Sequence, residues 1–253
     1  MSFGIVVGAF CVVCVAASVA LVYAVHDYRR RHPTSGDPEV QSVFVGSVIT
    51  FFGLFAAFMV VTTWTQYSQG LFAVSAEATS LVAVYRLSAD LPSPLDRRMR
   101  TLCADYAQTM ISDEWPAMTR DASSVKAWAI VAEMWRVLTT TGPEGLKDLP
   151  SREELLRQFI ETTKLRGQRL VLARTSLPPI LHAVLGLSAL IVIAALVALE
   201  TRDERRHVIR VGVIALLVSL SLATVWGLDH PYSRGIKVPP SSFEFALKVM
   251  RPR

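Results

Sequence analysis

The chain has 253 residues, 52% of them hydrophobic and only 19% charged, with a net charge of +5 and a mean hydropathy of +0.40. That balance points to lipid as part of the solvent. The surplus of Lys and Arg forms no basic patch with interleaved aromatics, so nucleic acid is not an expected partner; the arginines instead flank apolar runs, where they meet headgroups.

Four uncharged apolar runs occupy residues 3–25, 43–63, 177–199 and 211–228. Each is close to the roughly 20 residues a helix needs to cross the hydrocarbon core. No Lys or Arg precedes the first run, and Arg29, Arg30 and Arg31 follow it. This predicts an uncleaved membrane helix in place of a signal peptide. Within it, Cys11-x-x-Cys14 has redox or zinc spacing, but no second Cys or His pair accompanies it, so packing is the expected role. Gly4 and Gly8 could let two helices approach closely. Pro33, Gly36 and Pro38 then force a turn.

The second run continues without proline through Glu77, Tyr85 and Arg86, which predicts one helix to about Ala89, stopped by Pro92 and Pro94. Ser93-Pro94 reads as the N-cap and first position of the next helix. On that helix Leu95, Met99, Leu102, Tyr106 and Met110 form one apolar face. Glu114-Trp115-Pro116 ends or kinks it. A further helix is expected from Ser124 to about Thr140, closed by Gly142-Pro143. Ser151 and Glu154 form a capping box, and the helix they start can run to Ser176. Pro178-Pro179 precede the third run. The loop between the last two runs, residues 200–207, is short and charged, as between antiparallel neighbours. After Leu228 the chain is polar, rich in Pro and Ser, and expected to be irregular.

These elements predict an all-α polytopic membrane protein, with four transmembrane helices in two hairpins and a helical domain between them. The divisions are residues 1–66 for the first hairpin, 67–176 for the extramembrane domain, 177–228 for the second hairpin and 229–253 for the tail. The expected location is the cell membrane, multi-pass.

No catalytic constellation stands out: the sequence has no phosphate-binding glycine loop, zinc-protease motif or nucleophile elbow. The five histidines are scattered without metal-ligand spacing. No enzyme activity, cofactor or metal is therefore expected. The candidate functional or structural-polar residues are Glu77, Glu114, Trp115, Arg166, Arg169, His182, Asp229, Pro231 and Tyr232. Glu77 lies in apolar surroundings and needs a partner, which Arg166, Arg169 or Arg174 could supply, either as a structural ion pair or as part of an ion pathway. His182 lies about one turn into the third run, where an ionisable group is costly and often functional. Asp229 and Pro231 end the fourth helix, and Tyr232 is expected to fold back near Trp115 or Tyr106. Trp64, Tyr67 and Trp226 read as interfacial anchors.

Several residues, taken in order, carry a family resemblance: Trp64, Glu77-Ala78, Tyr85-Arg86, Leu91-Pro92, Tyr106, Glu114-Trp115-Pro116, Arg166, Arg169-Leu170, Leu177-Pro178 and Asp229-His230-Pro231-Tyr232-Ser233. They resemble the bestrophin-like domain family of bacterial and plant membrane proteins, over residues 43–247. The chain departs from the family pattern at His230, where the family has Arg, at Tyr232, where it has Phe, and at the inserted Arg234. Bestrophins proper are pentameric anion channels with a cytosolic helical vestibule. The resemblance thus implies an oligomeric protein that forms or gates a pathway for small ions, with anions as one possible class. The alternative is a non-conducting membrane-anchored sensor or scaffold acting through its helical domain. In either case the partners are the lipid bilayer and further copies of the chain.

Orientation is read two ways. The arginines of the two hairpin loops favour loops in the cytoplasm and the central domain outside. Lys164, Arg166, Arg169 and Arg174, the basic tail and the family resemblance favour a cytosolic domain. The first helix has the cleanest charge difference and usually dominates, so the outside domain is the expectation.

Overall fold

The structure, a computed structural model, describes residues 3–32, 38–140, 152–199, 203–233 and 235–251. Gly142, Pro143, Ser151, Arg234 and the turn residues Pro33 to Asp37 lie outside them. The helices are α1 (Phe3–Arg31), α2 (Pro38–Leu87), α3 (Leu95–Thr109), α4 (Trp115–Met118), α5 (Val125–Thr140), α6 (Arg152–Arg174), α7 (Pro179–Val197), α8 (Glu204–Leu228) and α9 (Ser241–Met250). A 3-10 turn, Ser88–Asp90, follows α2, and a π-turn, Met110–Glu114, follows α3. No strand occurs among the described residues.

The chain forms two compact units that alternate along the sequence. The first comprises Met1–Thr65 and Ser176–Asp229, the second Gln66–Thr175 and His230–Arg253. Helix α2 contributes to both. At 50 residues it is about 75 Å long, more than twice the hydrocarbon thickness.

The first unit is built from α1, the first half of α2, α7 and α8, each long and apolar enough to cross a membrane. Its core is narrow: Val22, Val45, Phe52, Met59, Leu185, Val192, Val211 and Val225 are buried together. The opposite faces carry exposed Val12, Phe44, Phe58, Ile180, Leu190 and Leu217. In water such a surface would be untenable, and against lipid tails it is neutral. Gly227 faces the Phe3 ring, which a β-carbon there would displace. Asp203 caps α8 by accepting from the Arg206 amide at 3.2 Å. Glu204 meets Arg30 at 3.3 Å and His26 at 3.4 Å.

The membrane hydroxyls are spent locally. Ser47, Thr50, Ser221 and Thr224 each donate to the carbonyl four residues back. Ser219 donates to Leu216 and is buried in the unit, so it does not share an outward face with Ser47 and Thr50.

The second unit is a helical bundle around Val74, Leu81, Met99, Tyr106, Met110, Met134, Phe159, Tyr232, Phe243 and Met250. Helix α3 packs against α5 and α9. Two expectations fail here. Ser93 does not cap α3: the N-cap is Pro94, without a side-chain bond, and the Ser93 hydroxyl instead accepts from Arg97 at 3.1 Å. The polar tail is not irregular, because it contains α9. Pro239 and Pro240 precede that helix and do not interrupt it, and Phe243, Ala246 and Met250 recur on one buried face.

Candidate functional site

Four charged side chains meet in the second unit, all essentially excluded from solvent: Glu77, Glu114, Arg166 and Arg169. Glu77 comes from α2. Arg166 and Arg169 lie one turn apart on α6, whose inward stripe runs Leu155, Phe159, Thr162, Arg166, Arg169 and Ala173. Glu114 is placed by the π-turn. Pro116 has no N–H to continue the ladder, and the Trp115 amide reaches five residues back to the Met110 carbonyl. The extra residue helps turn Glu114 into the core.

The geometry is specific. Arg169 Nε donates to Glu77 Oε2 at 2.7 Å, and Nη2 to Oε1 at 3.2 Å. The Tyr106 hydroxyl donates to the same Oε1 at 2.6 Å. Arg166 grips Glu114 through Nε and Nη2 at 3.1 and 3.2 Å. Arg169 Nη2 also reaches Glu114 Oε1 at 3.4 Å, which joins the two pairs. Glu114 Oε2 accepts from the Ser124 amide at 2.7 Å, at the N-terminus of α5, where a carboxylate is favoured. Ser124 caps that helix by accepting from Ala127 at 3.2 Å. Arg166 lies 4.2 Å from the Trp128 ring centre and Arg169 5.0 Å from that of Trp115. Such contacts suit the weakly hydrated, planar guanidinium.

Two carboxylates and two guanidinium groups balance to zero charge, so the cluster can persist without water. Burial works against the Arg169 charge, but the Glu77 carboxylate, by its charge and its hydrogen bonds, holds the guanidinium above its ordinary range. Burial, and then the Glu77 charge, push the Tyr106 hydroxyl well up. Of the three arginines that could have met Glu77, Arg169 does so; Arg166 serves Glu114, and Arg174 is exposed.

The segment after α8 closes over this cluster. The Tyr232 ring stands edge-on to Trp115 with centres 6.1 Å apart, and its hydroxyl donates to the Gly70 carbonyl at 3.0 Å. A β-carbon at Gly70 would sit 3.1 Å from that hydroxyl, so glycine there admits the tyrosine. Trp115 Nε1 donates to the Val238 carbonyl at 3.1 Å, and Phe243 packs edge-on at 5.7 Å. Buried Pro231 accepts from the Val238 amide at 2.7 Å. Phe243 and Trp128 were not singled out from the sequence as neighbours of the cluster; the 3.6-residue pattern after Pro240 could have revealed the first.

His182 and Asp229 belong to the first unit. Their side chains are 3.4 Å apart, and Asp229 Oδ1 also accepts from the Leu177 amide at 2.7 Å. Asp229 thereby ties the end of α8 to the start of the segment leading into α7. An apolar cavity of about 370 Å³, lined by Val6, Phe10, His182, Leu222 and Trp226, adjoins them. Among the described residues no cluster of three His, Cys, Asp or Glu could hold a metal.

Such a chain, with four membrane helices in one unit and a bundle stitched by buried ion pairs in the other, is a polytopic α-helical membrane protein. It belongs to the bestrophin-like domain family, whose sequence model matches residues 12–243. The fold is similar to that of a bacterial bestrophin homologue from Klebsiella pneumoniae, with a TM-score of 0.73 and 11% identity over 95% of this chain and 96% of that one. A mutant of that homologue gives 0.74 and 11%, over 96% and 98%. A further membrane-protein crystal structure gives 0.73 and 12%, over 98% and 99%. No curated protein sequence matches the chain.

Proposed function

We propose that the protein assembles as a homo-oligomer around an axis and there forms or gates a pathway for small ions, with anions the class that family membership favours. The observation that carries this reading is the uncovered face of α2. Phe51, Leu54, Phe58 and Val61 are exposed in its membrane half, and Thr65, Gln69 and Phe72 continue the line past it. Spaced by three and four residues, they form one outward stripe. Lipid could cover the first part but not a stripe that continues past the apolar window, whereas copies arranged around an axis could enclose all of it. A passage lined by this stripe would carry no fixed charge, and its apolar membrane part would open and close by wetting.

An enzymatic role finds little support. The two buried carboxylates are fully engaged by Arg, Tyr and backbone donors, which leaves neither poised for proton transfer. The test is reconstitution in a planar bilayer under a salt gradient, with the mass of the solubilised particle measured in parallel. A multi-subunit particle with a reversal potential set by the anion gradient is expected. A strictly monomeric particle that still conducts would overturn the assembly. An oligomer that passes no current would favour the sensor or scaffold.

A further inference from the structure

The second unit exposes apolar side chains that a free surface does not need. On α5, Val125, Trp128, Ala132 and Trp135 are all exposed, Val125 at 82%, and their spacing puts them on one face. Trp128 covers Arg166, and Trp135 stacks on Phe159 with centres 5.9 Å apart. Both rings are therefore braced from behind and present their outer faces rigidly. Tryptophan is among the residues enriched at the energetic anchors of protein interfaces.

A complementary concavity lies elsewhere on the same unit. A groove of about 530 Å³ runs between α2 and α9, floored by Ala78 and Val82 and edged by Ser75, Thr79, Arg86 and Phe245. Its floor is small and apolar. Its rim carries a phenylalanine 68% exposed and an exposed arginine that has no ion pair among the described residues. An indole fits such a groove in size, and the electron-rich ring face suits the unpaired guanidinium. Stripe and groove are on different flanks. Helix α6 joins α2 through Ser80, Gln158 and Thr162 and meets α5 through Phe159 and Arg166, so it lies between them.

Two different, complementary patches on one chain generate a head-to-tail contact, which closes into a ring when the rotation permits. We infer that the Val125–Trp128–Ala132–Trp135 stripe of one copy seats in the α2–α9 groove of the next. This rests on the homo-oligomer proposed above and assigns its lateral interface.

The test uses the full chain in membranes, with Cys11→Ala and Cys14→Ala and with Cys103 left buried. Ala132→Cys and Thr79→Cys are each expected to give no cross-linked species alone under mild oxidation. Coexpressed with different tags they should give a mixed dimer, and combined in one chain a ladder up to the ring size. Cross-linking of either single variant would reveal a symmetric face-to-face contact and overturn the inference. So would an oligomer, confirmed by mass, whose double variant gives no ladder. As a second readout, Ala132→Arg and Ser242→Arg should each weaken assembly by tenfold or more, and mixing the two should restore dimers through their one intact stripe and one intact groove. Mixtures that stay dissociated would also refute it. A ladder without current sinks the ion pathway and leaves this interface standing; current with an unlinked oligomer does the reverse.

Discussion

Removal of Glu77 should be among the most damaging single changes in the second unit. Glu77→Leu leaves the Arg169 guanidinium fully buried, with the Glu114 contact at 3.4 Å as its one remaining carboxylate. It also strips the Tyr106 hydroxyl of its acceptor. Breaking a buried ion pair from one side costs about 3–5 kcal/mol, which for a chain of this size lowers the melting temperature by about 6–20 °C. Arg169→Met strands Glu77 in the same way and should cost about as much. The double variant strands neither charge, because well-packed apolar replacements of a buried pair are close to neutral. What it still lacks is the partner of Tyr106, at about 1–3 kcal/mol. The two single costs should therefore exceed the double cost by at least about 2 kcal/mol. Thermal melts of the three variants in one detergent, followed by near-ultraviolet circular dichroism, measure this. Costs that add to within about 0.5 kcal/mol would mean that the two side chains act independently, and the paired cluster would not be the keystone of the bundle.

Stability should also fall in alkali. Burial raises the Cys103 thiol and the Tyr106 and Tyr232 hydroxyls above their ordinary values of 9.0 and 10.0. Their contribution is thus fully present below about pH 9 and is lost as pH climbs above it, because the unfolded chain ionises there and the folded one does not. A melting temperature flat from pH 9 to 11 would contradict this. Tyr232→Phe removes only the bond to Gly70 and should cost about 1 kcal/mol, whereas Gly70→Val, which crowds the ring, should cost more; the reverse order in a melting comparison would show that the close approach does not matter. Orientation can be read with a reporter at exposed Glu153, since Cys103 is wholly buried and should stay silent in the folded protein. Family membership weighs for a cytosolic second unit, so Glu153→Cys should react with an impermeant maleimide only after permeabilisation; labelling of intact cells would restore the orientation favoured by the loop arginines.

The membrane helices were legible because hydropathy over 20 residues is a local property, and so was the long reach of α2, which lacks any internal proline. The cluster was legible only in part. Glu77 announced itself as a carboxylate among apolar neighbours, but its partner lies 92 residues away, and sequence alone offered three arginines. Helix phase could have narrowed the choice, because Arg166 and Arg169 share the stripe of Phe159 and Thr162 while Arg174 falls outside it. The tail was misread for a physical reason: its prolines were counted as breakers, although a proline just before a helix favours its start. The π-turn that aims Glu114 left no readable signal beyond Pro116.

The alternation of the two units along the chain has a consequence for biogenesis. Tyr232, Val238, Phe243 and Met250 complete the core of the bundle, yet they are synthesised after both membrane hairpins. Helices α3 to α6 therefore leave the ribosome with an unfinished core, and the Trp115 indole lacks the Val238 carbonyl until that residue has followed α8 out. The bundle must wait, partly open, while α7 and α8 are inserted. During that interval the balanced charge of Glu77, Glu114, Arg166 and Arg169 can remain hydrated, and the segment from Tyr232 to Met250, by covering it, completes its burial.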